Sequence, residues 1–158
     1  MQTAKKIVNR EQLIQLSREW QAKGHQVVFT NGCFDILHLG HVDYLEKAAE
    51  KGEKLIIAIN TDLSVKKLKG EDRPINNEIA RARLLAALAF VDAVTFFGED
   101  TPYDLIKAVQ PNVLVKGSDY EISNIVGADI VLQNGGSVET IQLVEGYSTS
   151  LIIDQIKK

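Results

Sequence analysis

At 158 residues, with 45% hydrophobic and 25% charged positions, the chain has the size and composition of a single soluble globular domain. A net charge of −3 argues against a nucleic-acid or anionic-membrane surface, so any cation needed for a polyphosphate must be local. The single cysteine excludes an intrachain disulfide and a Cys-based zinc site, no apolar run approaches the ~18 residues of a membrane span, and MQTAKKIVNREQ lacks a signal peptide's apolar core, so a cytoplasmic location is expected.

Residues 9 to 23 open with Asn9, a favoured N-cap, and set Leu13, Leu16 and Trp20 at helical spacing. This predicts an amphipathic lead-in helix ended by Gly24, with Trp20 in core or dimer packing. Val27-Val28-Phe29-Thr30 reads as a buried strand. Asn31-Gly32 then breaks the run, and from about Gly40 the residues Val42, Leu45, Ala48 and Ala49 recur at helical spacing. Strand, tight turn and helix in succession aim free backbone N–H groups at one point, which is a ready anion site.

Within this segment His38-Leu39-Gly40-His41 places two imidazoles three residues apart around a glycine. Imidazoles donate hydrogen bonds to a phosphate without bringing a permanent charge, and glycine lets the phosphate approach the backbone. Taken alone, the same residues read equally as a surface His, a capping His and a structural Gly. Asp35 reads as holding the turn or orienting a His rather than as a direct catalyst. Nothing marks Cys33 as a nucleophile.

Lys54 to Asn60 is a second buried strand, and Asn60 stands at its carboxyl end, where open α/β sheets place ligand crevices. Residues 63 to 76 are polar and basic, with Gly70 and Pro74, and read as a loop, with room for a short helix before it. Lys66, Lys67, Lys69 and Arg73 concentrate four cations there, as a solvated face or as a phosphate clamp. Residues 77 to 90 predict a helix capped by Asn76 or Asn77, on which Arg81 and Arg83 cannot share a face.

Val91 to Phe97 is a third strand, and Thr101-Pro102 begins a helix to about Val109 with Pro at its first position. Asn112 to Val115 is a fourth strand, leading into a loop from Lys116 to Tyr120. Residues 121 to 136 read as a short helix, a strand Asp129-Ile130-Val131-Leu132-Gln133 and a Gly135-Gly136 turn. Val138 to Val144 is a further strand, and Ser148 caps a last helix through Ile156. Alternating strands and helices predict a doubly wound, Rossmann-like α/β fold with a parallel sheet, in a single domain over 1–158 with 1–24 as lead-in.

The run from Asn31 to His41, NGCFDILHLGH, resembles the G-[TC]-F-D-x-x-H-x-G-H signature of the cytidylyltransferase-like nucleotidyltransferases, with further family motifs in order to Ile156. The resemblance implies nucleotidyl transfer from an NTP to a phosphate-bearing acceptor, with pyrophosphate released. It assigns catalysis to His38, His41 and Arg81. Nucleotide binding falls to Asn31, Gly32, Cys33, Phe34, Gly40, Lys116, Gly117, Asp119, Tyr147, Ser148 and Thr149. The acceptor falls to Asp35, Asn60, Lys66, Lys69 and Arg73. TNGCFD, LKGEDRP and VKGSDY look most like the heptose 1-phosphate adenylyltransferase branch, which implies ATP and a sugar 1-phosphate as substrates.

Mg²⁺ is expected with the triphosphate, although no carboxylate cage is evident. A homodimer, and a separate heptose kinase acting upstream of a stand-alone enzyme, are implied likewise. The nearest alternative is a glycerol-3-phosphate cytidylyltransferase, whose relatives usually carry Thr where this chain has Cys33. From another class, a non-catalytic nucleotide-binding module fits less well, because both histidines and Arg81 are intact.

Overall fold

A computed structural model describes residues 2–158. Five parallel strands, β1 (Val27–Gly32), β2 (Lys54–Asn60), β3 (Ala93–Phe97), β4 (Val113–Gly117) and β5 (Ser137–Ile141), form one sheet in the order β3-β2-β1-β4-β5. The chain winds outward from β1 to β3, then returns to pair β4 on the other edge of β1, with Val28 opposite Val113. The expected doubly wound α/β fold is present.

The strands read as unbroken apolar runs because both faces of the sheet are covered. On one face Val28, Leu55, Ile57, Ile59 and Val94 pack against α2 (Leu39–Ala49) and α4 (Glu78–Ala86) through Leu45, Ala48, Ala82 and Leu85. On the other, Val27, Phe29, Ile56 and Ala58 meet α1 (Arg10–Ala22), α5 (Tyr103–Val109) and α6 (Ala128–Gln133) through Leu13, Leu105, Ile106 and Val131. Asn9 caps α1 in a reciprocal capping box with Gln12. Ile14 and Trp20 pack on the core, which is one of the two roles expected of Trp20.

Several boundaries differ from the sequence reading, each for a local reason. Asn31-Gly32 stays within β1, because both residues continue the ladder to Ala58 and Ile59 of β2. The segment from residue 63, expected as a loop with room for a short helix before it, begins with a full helix, α3 (Asp62–Lys69), capped by Thr61 and ended by Gly70 at φ 103°. It buries only Ser64 and Val65, too little to leave an apolar period in the sequence. Pro102 is the N-cap of α5 rather than its first residue.

Lys116 and Gly117 are the last residues of β4, not of a loop. The expected strand at 129–133 is helix α6: Ala128 and Val131, three apart, are buried while Leu132 faces solvent, and the sheet edge is taken by β5. The C-terminal helix is α7 (Thr149–Lys157), in which only Thr149 is buried.

Candidate active site

The carboxyl ends of the strands, where β1 separates the two winding directions, open into a cleft of about 660 Å³. One wall is made by the loop from β1 to α2. Phe34 adopts a left-handed backbone at φ 48°, and its ring meets the His41 imidazole edge-on with centroids 5.2 Å apart. The backbone of Gly32 lies so close beneath that a Cβ there would sit 2.9 Å from the Phe34 ring.

His38 is the N-cap of α2: its Nδ1 accepts from the His41 backbone N–H at 3.3 Å. That bond requires Nδ1 to be unprotonated, so the neutral ring carries its proton on Nε2. The two imidazoles stack at 3.7 Å between centroids. Burial, then the adjoining His38 ring, push the His41 pKa down to about 4, against the pull of the Asp35 carboxylate. Burial lowers His38 as well. Both rings are therefore neutral at physiological pH. His41 Nδ1 is buried with no hydrogen-bond partner among the described residues. A Cβ on Gly40 would fall 2.9 Å from the His38 ring and 3.3 Å from Tyr147, so glycine here keeps the histidine pair and α7 in register.

α7 brings a second helix N-terminus to the same cleft. Ser148 caps it through Oγ, which accepts from Leu151 N–H at 3.1 Å, and Thr149 Oγ1 donates to the Ile36 carbonyl at 3.4 Å. Tyr147, Ser148 and Thr149 all line the cleft. Lys116 reaches it from β4: Nζ donates to the Asn31 carbonyl at 3.3 Å and lies 5.1 Å from the Tyr120 ring centre. Burial lowers its pKa, with Asp119 pulling the other way. Asn31, Gly117 and Asp119 complete this side.

On the β2 side stand Asn60, Lys69 and Arg73. Asn60 Nδ2 donates to Ser64 Oγ at 2.9 Å, and its Oδ1 faces Cys33 Sγ at 3.6 Å. Burial raises the Cys33 thiol above its ordinary pKa despite the cations Lys69, Arg81 and Arg73, so the cysteine is not an activated thiolate. Asp35 fastens the neighbouring loop: Oδ2 accepts from Arg73 Nε (2.9 Å) and Ile75 N–H (2.8 Å), Oδ1 from Asn76 N–H (2.8 Å). Burial opposes its charge, but the backbone donors and the guanidinium outweigh it and hold the carboxyl below its ordinary value.

Two expected site residues are placed elsewhere. Lys66 is exposed on α3 and does not line the cleft, although it stands only one helical turn before Lys69, which does. Arg81, which the resemblance assigns to catalysis, is fully buried beneath the cleft and is not among its lining residues. Its Nε donates to Asn76 O (3.0 Å), Nη1 to Cys33 O (2.9 Å) and Asn60 O (2.8 Å), and Nη2 to Asp62 Oδ1 (2.8 Å). The structure also brings in lining residues the sequence reading missed, among them Tyr44, Asp100, Thr101 and Asn124. Asp100 and Thr101 follow a strand end, and Tyr44 lies three residues beyond His41 on α2. Those positions were the available signals.

For a metal ion the donor set is poor. Among the described residues no group of three or more His, Cys, Asp or Glu side chains converges as a cage, and both oxygens of Asp35 are already taken. The residues present do not fit a resident metal.

Residues 29–155 match the family model described as cytidylyltransferase-like. The chain belongs to the cytidylyltransferase-like family. Among curated proteins it is 54% identical over 153 residues to the bifunctional protein HldE of Campylobacter jejuni subsp. doylei, covering 97% of this chain and 32% of that one. It is 50% identical over 150 residues to the bifunctional protein HldE of Koribacter versatilis, covering 95% of this chain and 31% of that one. The chain thus spans about a third of the length of these relatives.

A crystal structure of the lipopolysaccharide core biosynthesis protein from Thermoplasma volcanium is similar at TM-score 0.61 and 27% identity, over 79% of this chain and all of that one. The pantoate-beta-alanine ligase of Francisella tularensis shares the fold alone, at TM-score 0.61 and 14% identity, over 96% of this chain and 76% of that one. Family and relatives together make this a nucleotidyltransferase domain. No described helix is long and apolar enough to cross a membrane.

Proposed function

We propose that the domain transfers AMP from ATP to D-glycero-β-D-manno-heptose 1-phosphate, giving ADP-heptose and pyrophosphate. The observation that carries the transfer is the neutral, stacked His38–His41 pair at the N-terminus of α2, inside a cleft that also receives the N-terminus of α7. The acceptor's identity rests on the branch-like motifs around Cys33, Arg73 and Lys116, with support from the HldE relatives and the lipopolysaccharide core biosynthesis protein.

In this reaction a phosphate oxygen of the sugar 1-phosphate attacks the α-phosphorus of ATP in line. The bond from that phosphorus to the β-bridging oxygen breaks, and pyrophosphate leaves with the bonding pair. Positioning and charge stabilisation do most of the work in such a step. His38 donates from Nε2 to a non-bridging phosphate oxygen, and His41 lines the same pocket. The helix N-termini at Gly40 and Ser148 receive the polyphosphate, and Lys116 adds charge. Lys69 and Arg73 bring in the acceptor phosphate. Mg²⁺ enters as part of the substrate, bound to the triphosphate.

The relatives' description as bifunctional fits a companion reaction that phosphorylates the sugar first. Incubation with Mg·ATP and the heptose 1-phosphate tests the reading: a product of ADP-heptose mass forms with wild type and is absent with His41→Ala. Formation of no such product by the wild-type protein contradicts it.

A further inference from the structure

Arg81 heads the fully buried side chains by volume, yet it comes from a helix that lies behind the cleft. A buried guanidinium is costly unless every direction of its fork is matched. Here the matches are distributed over four separate segments. Cys33 O belongs to the β1–α2 loop that carries the histidines; Asn60 O ends β2; Asp62 Oδ1 opens α3, which carries Lys69; Asn76 O ends the loop that carries Arg73. That last loop is tied a second time to the β1–α2 loop, through Asp35 to Ile75 and Asn76 and from Asn76 Nδ2 to the Asp35 carbonyl at 3.0 Å.

We infer that Arg81 is a positioning residue that fixes the nucleotide-side β1–α2 loop and the acceptor-side β2–α3 and 70–76 segments in one geometry, without touching the triphosphate. The inference rests on the nucleotidyl-transfer reading of the cleft and assigns its two-sided geometry to one buried fork. A planar guanidinium presents donors in several fixed directions at once, which a lysine ammonium at the end of a flexible stem cannot reproduce. Arg81→Lys therefore keeps a buried cation but loosens at least two of the four ties.

The test compares wild type, Arg81→Lys and Asp62→Asn by ATP dissociation constant, acceptor KM, kcat and the alkylation rate of Cys33, the chain's single thiol. Asp62→Asn weakens one tie from its half-exposed end and leaves Arg81 in place. For a positioning role, Arg81→Lys holds the ATP dissociation constant within about threefold. It also lowers kcat over acceptor KM at least about tenfold and speeds Cys33 alkylation, and Asp62→Asn shifts the same quantities less. A rise of more than about tenfold in the ATP dissociation constant, with acceptor KM and Cys33 reactivity unchanged, overturns the inference in favour of direct phosphate contact. So does a folded Arg81→Lys protein with wild-type values throughout. ATP affinity and Cys33 reactivity are read without any acceptor, so they decide the point even where heptose 1-phosphate is not turned over.

Discussion

His38 caps the helix on which His41 sits: its Nδ1 accepts from the His41 backbone N–H at 3.3 Å, and the two rings stack 3.7 Å apart. One side chain thus does two things, ending α2 and orienting its own Nε2–H toward the cleft. The functions separate by substitution. His38→Asn keeps a capping side chain and removes the imidazole, whereas His38→Ala removes both. Both variants are expected to lose turnover by roughly 10²-fold or more, while only His38→Ala loses about 1 kcal/mol of stability by denaturant titration.

The depressed pKa of His41 makes a pH prediction with a definite sign. Its folded value is about 4 against an ordinary 6.5, so between those values the unfolded chain binds the proton and the folded one does not. The contribution of His41 to stability is full above about pH 6.5 and falls as pH drops toward 4. His41→Asn flattens that part of the Tm-against-pH profile. Turnover is expected to show no loss near pH 6.5 from protonation of this ring, which a kcat/KM profile checks.

Gly40 sits where helix propensity and function disagree. Alanine favours a helix interior over glycine by up to about 1 kcal/mol, but its Cβ would press on the His38 ring at 2.9 Å. Gly40→Ala is expected to unfold close to the wild-type midpoint while kcat drops at least about tenfold. Thermal melts and initial rates on the same preparation measure both.

Asp35 and the α3 lysines divide the acceptor side. Asp35→Ala strands two backbone N–H groups and releases Arg73, so it is expected to cost about 2–4 kcal/mol and to raise the acceptor KM more than the ATP KM. Lys69→Ala raises the acceptor KM several-fold, whereas Lys66→Ala, outside the cleft, changes it less than about twofold. Steady-state kinetics with each substrate varied in turn distinguish the three.

The parts of the fold that the sequence disclosed are those whose cause is local. Val27 to His41 contains its own strand, glycine close approach and helix cap, so the strand–turn–helix that frames the cleft could be read directly. α3 was legible only as room for a short helix, because it buries only two small side chains, Ser64 and Val65, and its exposed Leu63 and Leu68 carry no inward period. Asp129 to Gln133 gave too short an apolar run to separate helix from strand. Arg81 shows the limit most clearly. Its position on the helix said nothing of burial, because its four acceptors all lie outside α4, one of them 48 residues away.

Pyrophosphate release measured side by side for Mg·ATP with heptose 1-phosphate and Mg·CTP with glycerol 3-phosphate bears most directly on the central claim. Adenylyl transfer to the heptose predicts turnover with the first pair, its loss in His41→Ala, and little with the second. Turnover confined to CTP and glycerol 3-phosphate would contradict the proposed substrates while keeping the chemistry. Silence with both pairs, alongside measurable ATP binding, would contradict catalysis by this cleft altogether.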